Sequence, residues 1–123
     1  MKTNNIQQKY NNIYNNFTNN LDFNNIINEI NELLNENYDN KFIILLLYIK
    51  SKCYFHLLQN QESYDTINEL ITHYRNDNEF KKYENKIYAL YLLNNLVEDI
   101  NDTKINLNLY LLKSTNSIDK INQ

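Results

Sequence analysis

Not one glycine or proline occurs in this chain of 123 residues, where ordinary usage would place roughly fifteen of the two together. Tight hairpins rely on a positive or preset φ, and phosphate-cradling loops rely on glycine backbones. Strand-rich folds and glycine-loop sites therefore both lose their usual chemistry. Helices joined by Asn and Asp corners keep theirs. Asparagine, isoleucine, lysine and tyrosine are abundant, and Ala89 and Arg75 are the sole alanine and arginine. This is the usage of AT-rich coding, so the chain being Asn-rich says more about which polar residue was available than about function.

The length suits one domain that can bury about two thirds of its unfolded surface without metal or disulfide staples. Cys53 stands alone, which excludes an internal disulfide and fits a reducing compartment. The opening MKTNNIQQKY carries no apolar signal core, so the expected location is cytoplasmic. A formal net charge of -3, with its cations scattered, supplies no basic field, and no nucleic-acid partner is expected. The longest apolar run, Phe42 to Ile49, stops at Lys50, far short of the roughly 20 residues that span a bilayer.

Helical periodicity organises the rest. Ile6, Tyr10, Ile13, Tyr14 and Phe17 form one stripe. After a corner at 19–22, with Asp22 as N-cap, a second stripe runs through Phe23, Ile26, Ile27, Ile30, Leu33 and Leu34. The break at 35–40 offers Asn for the left-handed position at a helix end. Helix three, starting near Lys41, is apolar nearly all round to Ile49 and reads as a central helix covered from several sides. A break at 59–61 precedes a fourth helix opened by Glu62 or Ser63 and closed at 75–78. A fifth is expected from about Glu79 to Val97, and a sixth after Asn101-Asp102 with Ile105, Leu109 and Leu112. The alternation Ile105-Asn106-Leu107-Asn108-Leu109 also fits a strand, although no partner strand is evident. Residues 114–123 have too few apolar anchors and read as a frayed or disordered tail.

No catalytic, cofactor or metal constellation stands out, and the chain reads as non-enzymatic. Cys53 and His56 share a helix turn, but a nucleophile pair also needs an orienting partner and an oxyanion site. As a zinc pair they lack a second two-ligand cluster, His73 being the other imidazole. The eleven tyrosines at helical spacing read as packing residues rather than as a stacking platform for single-stranded RNA.

The corners repeat at roughly 40 residues, a period that in helical pairs marks an array whose units bury their apolar faces by stacking. The alternative is a helical bundle around one centre. In the first pair Tyr10, Ile13, Tyr14 and Phe17 sit where W-x2-L-G-x2-Y falls, followed by Phe23, Ile26, Ile30 and Leu33, with Tyr38 in the usual proline place. The second pair matches through Tyr54, Phe55, Leu58, Tyr64, Ile67, Ile71 and Tyr74, and the third through Ala89, Leu92, Leu93, Leu96, Ile105, Leu109 and Leu112. On these residues the chain resembles the tetratricopeptide-repeat family over most of 7–113. The departures are Tyr14, Phe55, Ile26 and Ile67 at positions that the family fills with small residues. The run from Phe42 to Asp65 also resembles the repeat region of a TRAPP vesicle-tethering subunit.

The resemblance implies an all-α fold of about six helices, with antiparallel hairpins at about 5–36, 41–75 and 79–113 stacked as a short TPR-like right-handed solenoid. It also implies a scaffold for protein binding, whose first helices line a groove for a partner peptide or helix. Carried over, the groove positions are Gln8, Asn11, Asn15 and Thr18, then Lys52, His56 and Gln59, then Ile87, Tyr91, Asn94 and Glu98. The partner-binding candidates among them are Asn11, Asn15, Lys52, His56, Tyr91 and Asn94. The family's carboxylate clamp is not expected, because its basic positions hold Asn11, Ile87 and Tyr91 and only Asn15 matches. The second reading is a structural subunit of a larger assembly, such as a vesicle-tethering complex, or self-association through the uncapped ends of the array.

Overall fold

The computed structural model describes residues 2–36, 38–98 and 100. Four helices, α1 (Lys2–Thr18), α2 (Phe23–Leu34), α3 (Asn40–His56) and α4 (Asn60–Tyr74), are followed by α5 (78–98), and no strand occurs among the described residues. The chain is all-α over this span. The sixth helix expected at 105–112, its corner at Asn101-Asp102 and the tail expected at 114–123 all lie outside the described residues.

The corners show how helices end without glycine. After α1, Asn20 takes φ 55°, its N–H donates to the Phe17 carbonyl at 3.0 Å, and the N–H of Leu21 donates to Asn16 at 3.0 Å. That pair of bonds is the Schellman pattern, which satisfies carbonyls that the helix end leaves open. After α3 the same pattern returns, with Leu58 donating to Phe55 at 3.1 Å and Gln59 to Tyr54 at 2.9 Å. Here a leucine holds φ 62°, a conformation that costs a residue with a Cβ about 1–2 kcal/mol. Its side chain is 83% exposed. This leucine-built stop makes α3 end at His56 and α4 open at Asn60, earlier than the expected start at Glu62 or Ser63.

Asp22 caps α2 as expected, its Oδ1 accepting the Asn25 N–H at 3.2 Å. Asp77 performs the same service for α5, accepting the Glu79 N–H at 2.8 Å. Its other oxygen accepts from Asn40 Nδ2 at 3.0 Å, so the N-terminal ends of α3 and α5 lie side by side. Those two bonds hold the Asp77 carboxyl below its ordinary value, the Asn40 bond being the larger cause.

The apolar interior falls into two clusters, and α3 belongs to both. Phe42, Leu46, Ile49 and Cys53, at helical steps of four, three and four, face Ile6 and Ile13 of α1 and the stripe of α2. Ile44 and Leu47, on another side of α3, face Ile67 and Leu70 of α4 and Phe80, Ile87 and Leu90 of α5. The all-round apolar sequence of α3 is thus accounted for by cover on two sides. Each fully buried Ile or Leu here is worth about 1.5–3 kcal/mol relative to leaving it in water.

A polar knot sits at the edge of the second cluster. Ser51 Oγ donates to the Ser63 carbonyl and Ser63 Oγ to the Ser51 carbonyl, each at 2.8 Å. From α5, Asn94 Nδ2 donates to Ser63 Oγ at 2.9 Å and to the Leu90 carbonyl at 3.1 Å. All three side chains are buried, and among the described residues Asn94 Oδ1 has no hydrogen-bond partner.

Candidate partner-binding cleft

A cleft of about 630 Å³ opens between α1, α3 and α5. From α1 come Tyr10, Tyr14, Phe17 and Thr18; from α3, Leu45, Tyr48, Ile49 and Lys52; from α5, Tyr83 and Lys86. The helices deliver these side chains from the edges of their core-facing stripes, where Tyr10, Phe17, Tyr48 and Tyr83 also pack on the two cores. On α1, Ile6 and Ile13 are buried while Tyr14, one residue on, is 49% exposed. On α3, Leu45, Tyr48 and Lys52 run along the side between the two core-facing stripes, and Ile49 of the first stripe borders them.

Lys52 is held by aromatic rings rather than by a carboxylate. Its Nζ lies 5.7 Å from the Phe17 ring centroid and 5.6 Å from that of Tyr48, within the range in which a ring quadrupole attracts a cation. Burial pushes the Tyr10 phenol up to about 12, with Tyr83 and Tyr14 nearby adding to the shift. Burial also raises Tyr48. These phenols are neutral at physiological pH and can donate hydrogen bonds into the cleft.

The residues expected to line a groove separate into distinct places. Thr18 and Lys52 line the cleft. Asn11 is exposed and accepts from Gln7 Nε2 at 3.0 Å. Asn15 lines a different groove, of about 590 Å³ between α1 and α2, together with Lys9, Glu29 and Glu32. His56 is exposed but stacks on Phe23, with centroids 5.2 Å apart and planes 12° apart, and packs beside Phe17 at 5.9 Å. Tyr91 is half-buried beside Tyr64, their centroids 5.6 Å apart. Asn94 differs most from expectation: 3% exposed, it is bound into the polar knot and presents nothing to a partner. Ile87 is likewise a core residue.

The cleft tyrosines read as packing residues in the sequence, and Tyr10 does pack, with Phe17, against the first core. Tyr10, Tyr14 and Phe17 recur at i, i+4 and i+7 along the edge of the stripe that holds Ile6 and Ile13, so spacing alone does not separate cleft wall from core. Cys53 and His56 part company across their helix turn. Cys53 is wholly buried, and its burial raises the thiol to about 12, which leaves it protonated and unreactive at neutral pH, whereas His56 turns out onto Phe23. Among the described residues no group of three or more His, Cys, Asp or Glu side chains could hold a metal ion, and no helix is long and apolar enough to cross a membrane. The cleft is lined by aromatic and aliphatic side chains, phenol hydroxyls and the ammonium groups of Lys52 and Lys86. No family model, curated protein or solved structure matches the chain.

Proposed function

We propose that the chain is a non-catalytic protein-interaction module, a short TPR-like helical array whose α1–α3–α5 cleft receives a peptide or helix of a partner. The observation that carries this reading is the lining of the cleft, which draws on α1, α3 and α5 and on neither α2 nor α4. Stacked helix pairs produce that alternation, because the first helix of each pair falls on one side of the array and the second on the other. The two separate apolar clusters with α3 between them support stacking over wrapping around one centre. Aromatic walls with a few polar groups are also the composition of binding surfaces, since Tyr and Phe supply large contact areas at low entropic cost.

The test is selection of binders from a phage-displayed library of random dodecapeptides, followed by titration of the enriched peptides into isotope-labelled chain. Shifts should cluster on residues 10–18, 45–52 and 83–86. Failure to enrich any peptide, or shifts confined to α2 and α4, would overturn the reading.

Self-association or burial in a larger assembly is the second reading, favoured by one observation. Leu92, Leu93 and Leu96 along the end of α5, and Ile100 beyond it, are between 45% and 62% exposed, a concentration of large apolar side chains that a solvated surface does not need. Sedimentation should then give a concentration-dependent mass that Leu92→Lys/Leu96→Lys abolishes. A monomer at all concentrations would remove this reading.

A further inference from the structure

We infer that the occupant of the α1–α3–α5 cleft is an acidic segment of a partner protein, with apolar side chains laid on the tyrosine walls and carboxylates meeting Lys52 and Lys86. The inference rests on the cleft reading and adds the partner's chemistry to it. Its first support is the sign of the charge. The chain as a whole carries -3 and the neighbouring α1–α2 groove contains Glu29 and Glu32, yet both charged side chains lining this cleft are lysines.

The second support is the way these lysines are held. Among the described residues neither pairs with a carboxylate, the ion pair that does form being Lys82–Glu79 at 3.0 Å. Lys52 instead rests against Phe17 and Tyr48, which orders its ammonium while leaving its charge uncompensated. The third support is hydrogen-bond polarity. Ammonium groups only donate and the neutral phenols readily do so, so a complementary ligand presents acceptors. A peptide with Asp or Glu beside Leu or Phe satisfies both the walls and the donors. Single-stranded RNA also offers flat faces and anions, but two lysines on a net acidic chain give little of the phosphate neutralisation on which such binding depends.

The experiment is to sequence the enriched dodecapeptide pools and to measure the affinity of the best peptide at low and high salt. Asp and Glu should be enriched together with Leu, Phe or Tyr, and affinity should fall with salt. It should also fall about tenfold in Lys52→Glu/Lys86→Glu. Because Lys52 packs on two rings, the exposed Lys86→Glu variant is measured alone as well, and it should still lose several-fold with unchanged helical content. Enriched peptides that are neutral or basic but still shift the cleft residues would overturn the acidic inference and leave the cleft reading standing. Failure to enrich any peptide would overturn both. Oligouridine binding more tightly than the best peptide, with the same dependence on the two lysines, would assign the cleft to nucleic acid and overturn the inference.

Discussion

The two sides of α3 are built on different plans. Toward α1 and α2 it presents Phe42, Leu46, Ile49 and Cys53 to isoleucines and leucines, with no buried polar side chain among them. Toward α4 and α5 the apolar contacts end in the Ser51–Ser63–Asn94 knot. A greasy seam rewards burial but tolerates sliding, because apolar contact is non-directional. A buried polar knot does little for net stability, yet it penalises every register in which its groups go unpaired. The α3–α4–α5 side thus carries a device that specifies alignment, and the α1–α2–α3 side relies on shape alone.

The largest expected effects come from truncating each core. Phe80→Ala on the second side should cost about 3–5 kcal/mol, and Leu46→Ala on the first about 2–5 kcal/mol, in urea unfolding. If the two seams are energetically separate, the double variant should match the sum within about 0.5 kcal/mol. A larger coupling would mean that α3 transmits strain between them. Next, Ser63→Ala should cost about 1–3 kcal/mol, since it strips the Ser51 carbonyl of a donor and Asn94 of an acceptor. No loss there would erase the contrast between the seams.

The caps come third. Asp22→Ala should cost about 1 kcal/mol in urea unfolding. Asp77→Ala should lower the melting temperature in a way that depends on pH. The Asn40 and Glu79 hydrogen bonds hold the folded-state Asp77 carboxyl below its ordinary value, so its contribution is complete above that ordinary value and disappears as the pH falls through the lower folded value. The Asp77→Ala difference should therefore shrink in acid. The smallest effect is expected for Asn94→Leu, within about 1 kcal/mol of neutral, because it removes a carbonyl oxygen that is unpaired among the described residues together with the bonds of the amide nitrogen. Hydrogen exchange should nevertheless become faster across α5 if the knot sets alignment.

Much of the helical content was legible in the sequence. The stripe from Phe23 to Leu34 and the Asp22 cap mark α2 at its actual bounds, and the unbroken apolar run of α3 anticipates its cover on two sides. The α3–α4 corner is legible as a break at 59–61, but its place two residues earlier is not, because its left-handed residue is Leu58 and no composition rule points to leucine there. Of the groove positions carried over, Lys52 and Thr18 line the α1–α3–α5 cleft. Asn94 and Ile87 were misplaced because carrying positions over from a family pattern fixes the rotation of α5 in advance. Asn94 can be buried because Ser51 and Ser63 stand on facing helices to receive it, a meeting of distant residues that no local spacing encodes.

Cys53 lies wholly inside the first seam and is the chain's one cysteine. An alkylating reagent can reach its sulfur only when α1 and α2 part from α3, so the labelling rate times that parting without any engineered probe. Loosening of α4 and α5 alone would leave the clock unchanged. The molecule thus reports, by simple thiol chemistry, which of its two seams breathes first.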